Sequence, residues 1–167
     1  GRAPSTSSGF AIRTRVELGQ VVGRGGEEPT AVDRFFLGGA RLRGFERGTV
    51  SPRDICEGCD SDGDDLVTNL GGNQYAVART DLLIPLFPNR PGLETFIFGD
   101  IGSAWSVDTA FDPSGILEDD QDWRSSYGFG VAFRTPIGIF ESYYALDTDG
   151  EAFDEEQAWG LTFRAEF

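Results

Sequence analysis

Arg41, Arg43 and Arg47 stand close together in FFLGGARLRGFERG, residues 35–48, set among glycines and the large apolar groups Phe35, Phe36, Leu37, Leu42 and Phe45. A guanidinium offers five donors in a planar fork, so it can grip carboxylates bidentately in a partly dehydrated site, where a lysine would be a poorer substitute. The chemistry this stretch prepares is ion-pair recognition. Bond-making chemistry has little to work with, because the 167 residues contain no histidine and no methionine. The commonest general base and the commonest nitrogen ligand for metals are therefore missing. Nothing orients a nucleophile or a general acid around the many carboxylates. The chain is accordingly read as non-enzymatic, with no cofactor.

Two further groupings invite chemical readings. Cys56 and Cys59 have CxxC spacing, but with no second pair and no histidine the preferred reading is a local loop disulfide in an oxidising compartment. Asp60, Asp62, Asp64 and Asp65 surround Gly63 in the manner of part of a calcium loop. The bidentate glutamate of such a loop is missing at the proper spacing, so Asp60, Asp62 and Asp64 are only a weak calcium candidate and a solvated acidic loop is preferred. Acidic residues outnumber basic ones 28 to 14, for a net charge of −14. That balance argues against nucleic acid as a partner.

These residues are carried by a chain whose apolar pattern alternates. Phe10, Ile12, Thr14, Val16 and Leu18 share one face of an extended segment, against Ala11, Arg13, Arg15 and Glu17. A long connection, 19–72, follows and for its length must be functional or anchored. Then Ala76, Ala78, Thr80, Leu82 and Ile84 oppose Val77, Arg79 and Asp81, and Ile97, Ile101 and Trp105 oppose Phe96, Phe98, Asp100 and Gly102, less cleanly. Tyr127, Phe129, Val131 and Phe133 alternate with Gly128, Gly130, Ala132 and Arg134, and a Thr135–Gly138 turn leads to a return strand with Phe140, Tyr144 and Leu146 opposite Glu141 and Tyr143. The last strand places Leu161, Phe163, Ala165 and Phe167 against Gly160, Thr162, Arg164 and Glu166. Six amphipathic strands and no helical period predict an all-β, antiparallel architecture.

Two such architectures share this pattern. A soluble secreted sandwich binding carbohydrate or calcium through acidic loops is one. A transmembrane barrel is the other, since its strands need only about 9 to 11 residues and only their outer face must be apolar. Three features favour the barrel: 14 Phe, 4 Tyr and 3 Trp gathered near strand ends and on one parity, glycines on the opposite parity, and short turns alternating with long acidic loops. The opening GRAPSTSSGF, without initiator methionine, basic region or apolar core, predicts a piece of a longer protein.

The segment RFFLGGARLRGFERG, with its aliphatic-Arg-Gly-Phe core Leu42-Arg43-Gly44-Phe45, resembles the signature loop of the bacterial outer-membrane assembly superfamily that includes the BamA, TamA and two-partner secretion branches. GGNQYAVARTDLLIPL resembles the strand after that loop, FIFGDIGSAW the next strand, and YGFGVAFRTPIGIFESYYAL the penultimate hairpin; the GGN and FGDIGSAW strands lie nearest the BamA branch. The likeness runs from Phe10 to Phe167.

The resemblance implies a barrel of sixteen strands, of which residues 1–167 would be the C-terminal part of about six, since the smallest membrane barrels have eight. The remaining strands and the periplasmic POTRA domains would lie upstream. It further implies that the loop 19–72 folds into the lumen, where Arg43, Gly44 and Phe45 lock against Asp81 and Asp100. The last strand, with Gly160, Phe163 and Phe167, would serve as an insertion signal and as one side of a lateral seam, although Ala158 departs from the polar residue of the family pattern. The implied partners are unfolded outer-membrane client proteins, accessory assembly lipoproteins and outer-membrane lipid, and the implied location is the bacterial outer membrane.

Overall fold

The structure, a computed structural model, describes residues 9–25, 29–59, 62–90, 92–107, 116–118, 121–150 and 153–165. Its strands are β1 (Ala11–Gln20), β2 (Gly44–Phe45), β3 (Arg53–Cys56), β4 (Leu66–Asn69), β5 (Gln74–Ile84), β6 (Leu93–Trp105), β7 (Ile116–Glu118), β8 (Arg124–Thr135), β9 (Gly138–Asp147), β10 (Glu156–Gln157) and β11 (Trp159–Ala165). The six long strands form one antiparallel sheet in the order β1-β5-β6-β8-β9-β11. The sheet is the all-β segment of a barrel predicted from alternation, and it is open, with β1 and β11 at its edges.

Among the described residues the predicted parities are kept. One face exposes Ile12, Val16, Leu18, Ile97, Ile101, Tyr127, Phe129, Phe133, Phe140, Leu146, Leu161 and Phe163, while the other buries Val77, Asp81, Phe96, Phe98, Asp100, Ala132, Glu141, Tyr143 and Ala145. A sandwich would cover its apolar face with a second sheet, whereas here that face stays open along six strands, the arrangement suited to hydrocarbon. Aromatic pairs mark both ends of this face: Tyr144 and Trp159 with ring centroids 5.2 Å apart, and Phe140 and Phe163 at 4.6 Å. The alternation of β6 is weak in sequence because its inward residues Phe96 and Phe98 are as apolar as its outward ones. Their rings lie across Gly128 and Gly130 of the neighbouring strand, where a Cβ would meet them.

The connections are sorted by end. The longer ones, 21–73, 106–123 and 148–158, leave one end of the sheet, and the shorter 85–92 and 136–137 leave the other. The longest carries local structure that its sequence does not advertise: β3 pairs with β4 and with β7, β2 pairs with β10, and bridges join Phe35 to Gly72 and Leu37 to Val50. It lies over the inward face, and the first core is built between them from Leu37, Leu42, Phe45, Val50, Val77 and Ala104. A second core of Phe96, Phe98, Ala132, Tyr143 and Ala145 adjoins it. The apolar lead-in of the loop is thus what holds it inside rather than outside the wall.

Candidate functional site

Arg43 sits between these two cores with no exposed surface, carried by a loop whose neighbours Leu42 and Phe45 are also fully buried. Its Nε donates to Asp100 Oδ2 at 2.7 Å, and its Nη2 donates both to Asp100 Oδ1 at 2.6 Å and to Asp81 Oδ1 at 2.8 Å. The Arg43 backbone N–H donates to Asp100 Oδ2 at 3.3 Å, and its carbonyl accepts from Ser126 Oγ. Five heavy-atom contacts to β5, β6 and β8 therefore fix one residue of the loop. The Phe98 ring lies 3.7 Å from the guanidinium carbon, with Phe96 and Tyr143 at 5.8 and 5.9 Å. This stacking uses the planar face of the group while its edge is bonded to carboxylates. Burial alone would lower the Arg43 pKa, but hydrogen bonding and charge from Asp100, and then from Asp81, hold it above its ordinary value.

Gly44 makes this approach possible. Its φ of +97° is left-handed backbone, and a Cβ there would lie 2.9 Å from Ser126 Cβ. Phe45 fills the adjoining core and pairs through β2 with Glu156. Gly44→Ala is expected to cost about 1–2 kcal/mol from the backbone conformation alone, before any shift of Ser126. Lowered urea resistance of the loop against trypsin, in the full-length protein, would be the readout.

Arg43, Gly44, Phe45, Asp81 and Asp100, the five residues expected to form the lock, are brought together by the fold. The cluster also recruits residues whose only signal in the sequence is their inward parity. Arg13 binds Asp81 Oδ2 with Nε and Nη2, both at 3.0 Å. Arg79 Nη1 donates to the Ala40 carbonyl at 2.6 Å, and Glu141 Oε1 stands 3.8 Å from Arg43 Nη1. The inward parity of these residues was the available signal. Of the two arginines left without a role in the sequence, Arg41 lies over the Tyr75 ring at 5.4 Å, and Arg47 has no charged partner among the described residues.

A second ion-pair cluster lies outside the predicted set. Asp154, in the 148–158 connection, is wholly buried at its side chain between Arg53 Nη2 at 2.6 Å and Arg124 Nε at 2.5 Å. It joins the start of β3 and the start of β8 to the third long connection.

The remaining candidates divide. Cys56 and Cys59 are disulfide-bonded, with Cα atoms 5.5 Å apart. Asp62 and Asp64 are exposed, Asp65 Oδ1 accepts from the Gly58 N–H at 3.0 Å, and Asp60 lies outside the described residues. No group of three or more potential metal ligands converges among the described residues. Gly160 faces Tyr143 across β9–β11, and a Cβ at position 160 would run into the Tyr143 ring, so its place in the strand is explained by packing. Phe163 is exposed on the outer face, and Phe167 lies outside the described residues.

Residues 3–165 match the Omp85 superfamily domain. Among curated relatives, the chain is 28% identical over 125 residues to the outer membrane protein assembly factor BamA of Neorickettsia risticii (strain Illinois), covering 74% of this chain and 15% of that protein. It is 27% identical over 150 residues to BamA of Nitratidesulfovibrio vulgaris, covering 89% of this chain and 17% of that protein. Against BamA of Neisseria meningitidis serogroup B the figures are 26% over 183 residues, 94% and 22%. The crystal structure of BamA from Haemophilus ducreyi lacking POTRA domains 1–3 superposes with a TM-score of 0.72 at 25% identity, over 91% of this chain and 30% of that one. The chain thus spans roughly a fifth or less of the length of the curated relatives it matches.

Proposed function

The chain belongs to the Omp85 superfamily, and on that premise we propose that it is the C-terminal barrel part of an outer-membrane protein assembly factor of the BamA type. In this reading the complete protein folds and inserts client barrel proteins without enzymatic chemistry, in the bacterial outer membrane. The observation that supports it most directly is the loop fixed inside the wall by Arg43 on Asp81 and Asp100. Such a brace keeps a wide, gated barrel in shape while one seam is free to open. The seam would run along β11, whose edge opposite β9 is unpaired among the described residues. An exposed strand edge of this kind can template an incoming client strand by augmentation. The partners of the complete protein in this reading are unfolded outer-membrane client proteins and accessory assembly lipoproteins.

The full-length protein is expected to migrate heat-modifiably in detergent, and its depletion should lower the outer-membrane content of many barrel proteins at once. Unchanged barrel content after depletion would overturn the assembly reading. Loss of a single large exported adhesin, with other barrels spared, would instead identify a two-partner secretion transporter.

A further inference from the structure

Two inward residues of β9, Glu141 and Tyr143, stand between the Arg43 lock and β11, and both are buried. In the β9–β11 register they face Thr162 and Gly160, inward residues of the last strand. The Tyr143 ring covers the bare backbone of Gly160, where a Cβ would lie 1.9 Å from Tyr143 Cζ. The same ring meets Phe98 edge-on at 5.8 Å and the Arg43 guanidinium at 5.9 Å. Glu141 Oε2 accepts from Thr162 Oγ1 at 3.5 Å, while its Oε1 stands 3.8 Å from Arg43 Nη1, a buried nitrogen with no hydrogen bond among the described residues. One carboxylate is thus divided between the lock and the strand. A third contact runs along the backbone. Gly44 and Phe45, the residues after Arg43, pair with Gln157 and Glu156, and the Glu46 N–H donates to the Glu155 carbonyl at 2.7 Å. Ala158 alone separates this short ladder from Trp159, the first residue of β11.

We infer that the Arg43 lock also holds the inner face and the leading end of β11, with Tyr143 and Glu141 as the positioning residues between them. The inference rests on the reading of β11 as one side of a seam and names what keeps that side in place. The contacts lie on the inner face of β11, along its β9 side and in the connection before it, so they stand whatever strand pairs with its opposite edge. Packed side chains and shared ion-pair partners of this kind are the physical carriers of coupling between two places in a fold. A coupling free energy is reciprocal. A β11 that peels from β9 therefore loosens the lock, just as a loosened lock frees the strand.

The test is amide exchange at 159–165 in the full-length protein, a measurement that needs no client and is independent of the depletion experiment. Arg43→Ala, a change in the loop rather than in the sheet, should speed exchange there about fivefold or more, the lower end of the usual range for coupled sites. Tyr143→Leu should also speed it, and Tyr143→Phe, which keeps the ring over Gly160, should hold the wild-type rate. In the double variant Arg43→Ala with Tyr143→Leu, the acceleration should fall short of the product of the two single effects, because both cut the same path. A ring that only packs against β11 would give the full product. Asp100→Asn, on β6 and paired with neither β9 nor β11, takes the place of Arg43→Ala in this cycle if that variant does not fold. Unchanged exchange at 159–165 when the lock is broken, or a double variant equal to the product, overturns the coupling. Coupling present with barrel content unchanged on depletion would uphold the link and overturn the assembly reading alone.

Discussion

Arg43→Ala in the full-length protein is expected to release the loop 19–72 from the wall, seen as faster tryptic cleavage after Arg41, Arg47 or Arg53 than in the wild type. The substitution removes every side-chain contact that joins the loop to Asp81 and Asp100 and opens a void beneath Phe98. Breaking a buried ion pair by deleting one partner typically costs about 3 to 5 kcal/mol, and the burial of all three side chains puts this site in that class. The acids are not equal. Asp100 accepts three hydrogen bonds from Arg43 while Asp81 accepts one. Asp100→Asn should therefore loosen the loop more than Asp81→Asn, and both less than Arg43→Ala. Arg43→Lys should fall near the alanine variant, because an ammonium cannot reach both carboxylates and stack on Phe98 together. Equal proteolysis in wild type and all these variants would sink the lock.

The features that made this site legible were periodic. A period of two over ten or more residues assigned Asp81 and Asp100 to the inward face before any coordinates, and the Leu42-Arg43-Gly44-Phe45 resemblance supplied the loop residue that meets them. Arg13, Arg79, Glu141 and Ser126 stood on the same parity, but parity does not reveal register, so their convergence on Arg43 could not be read. The strands β2, β3, β4, β7 and β10 were invisible for a related reason: two to four residues are too few to carry a period, and their partners lie up to about a hundred positions away in the chain. Asp154 was the costliest omission. It belongs to the acidic run DTDGEAFDEEQ, whose composition matches a solvated loop, and only the approach of Arg53 and Arg124 distinguishes it.

Asp154→Ala is therefore the second substitution expected to have a large effect. It leaves two nearly buried guanidiniums facing each other without the carboxylate that separates them. Both keep other interactions, so the cost should fall at the lower end of the range for a broken buried pair, about 3 kcal/mol. Its location differs from that of the Arg43 lock, because Asp154 ties the long connections to one another rather than to the inner wall. Amide exchange should accelerate in 44–56 and around 153–157, where β2 pairs with β10 and the Glu46 N–H donates to the Glu155 carbonyl at 2.7 Å. The β5–β6 ladder under Arg43 should keep its protection. Because both clusters restrain the same connection, the double variant Arg43→Ala with Asp154→Ala should depart from additivity by about 0.5 kcal/mol or more. Unchanged exchange in 44–56 in the single variant would show that the Asp154 cluster carries no share of the restraint, and strict additivity would show that the two clusters hold the loop independently.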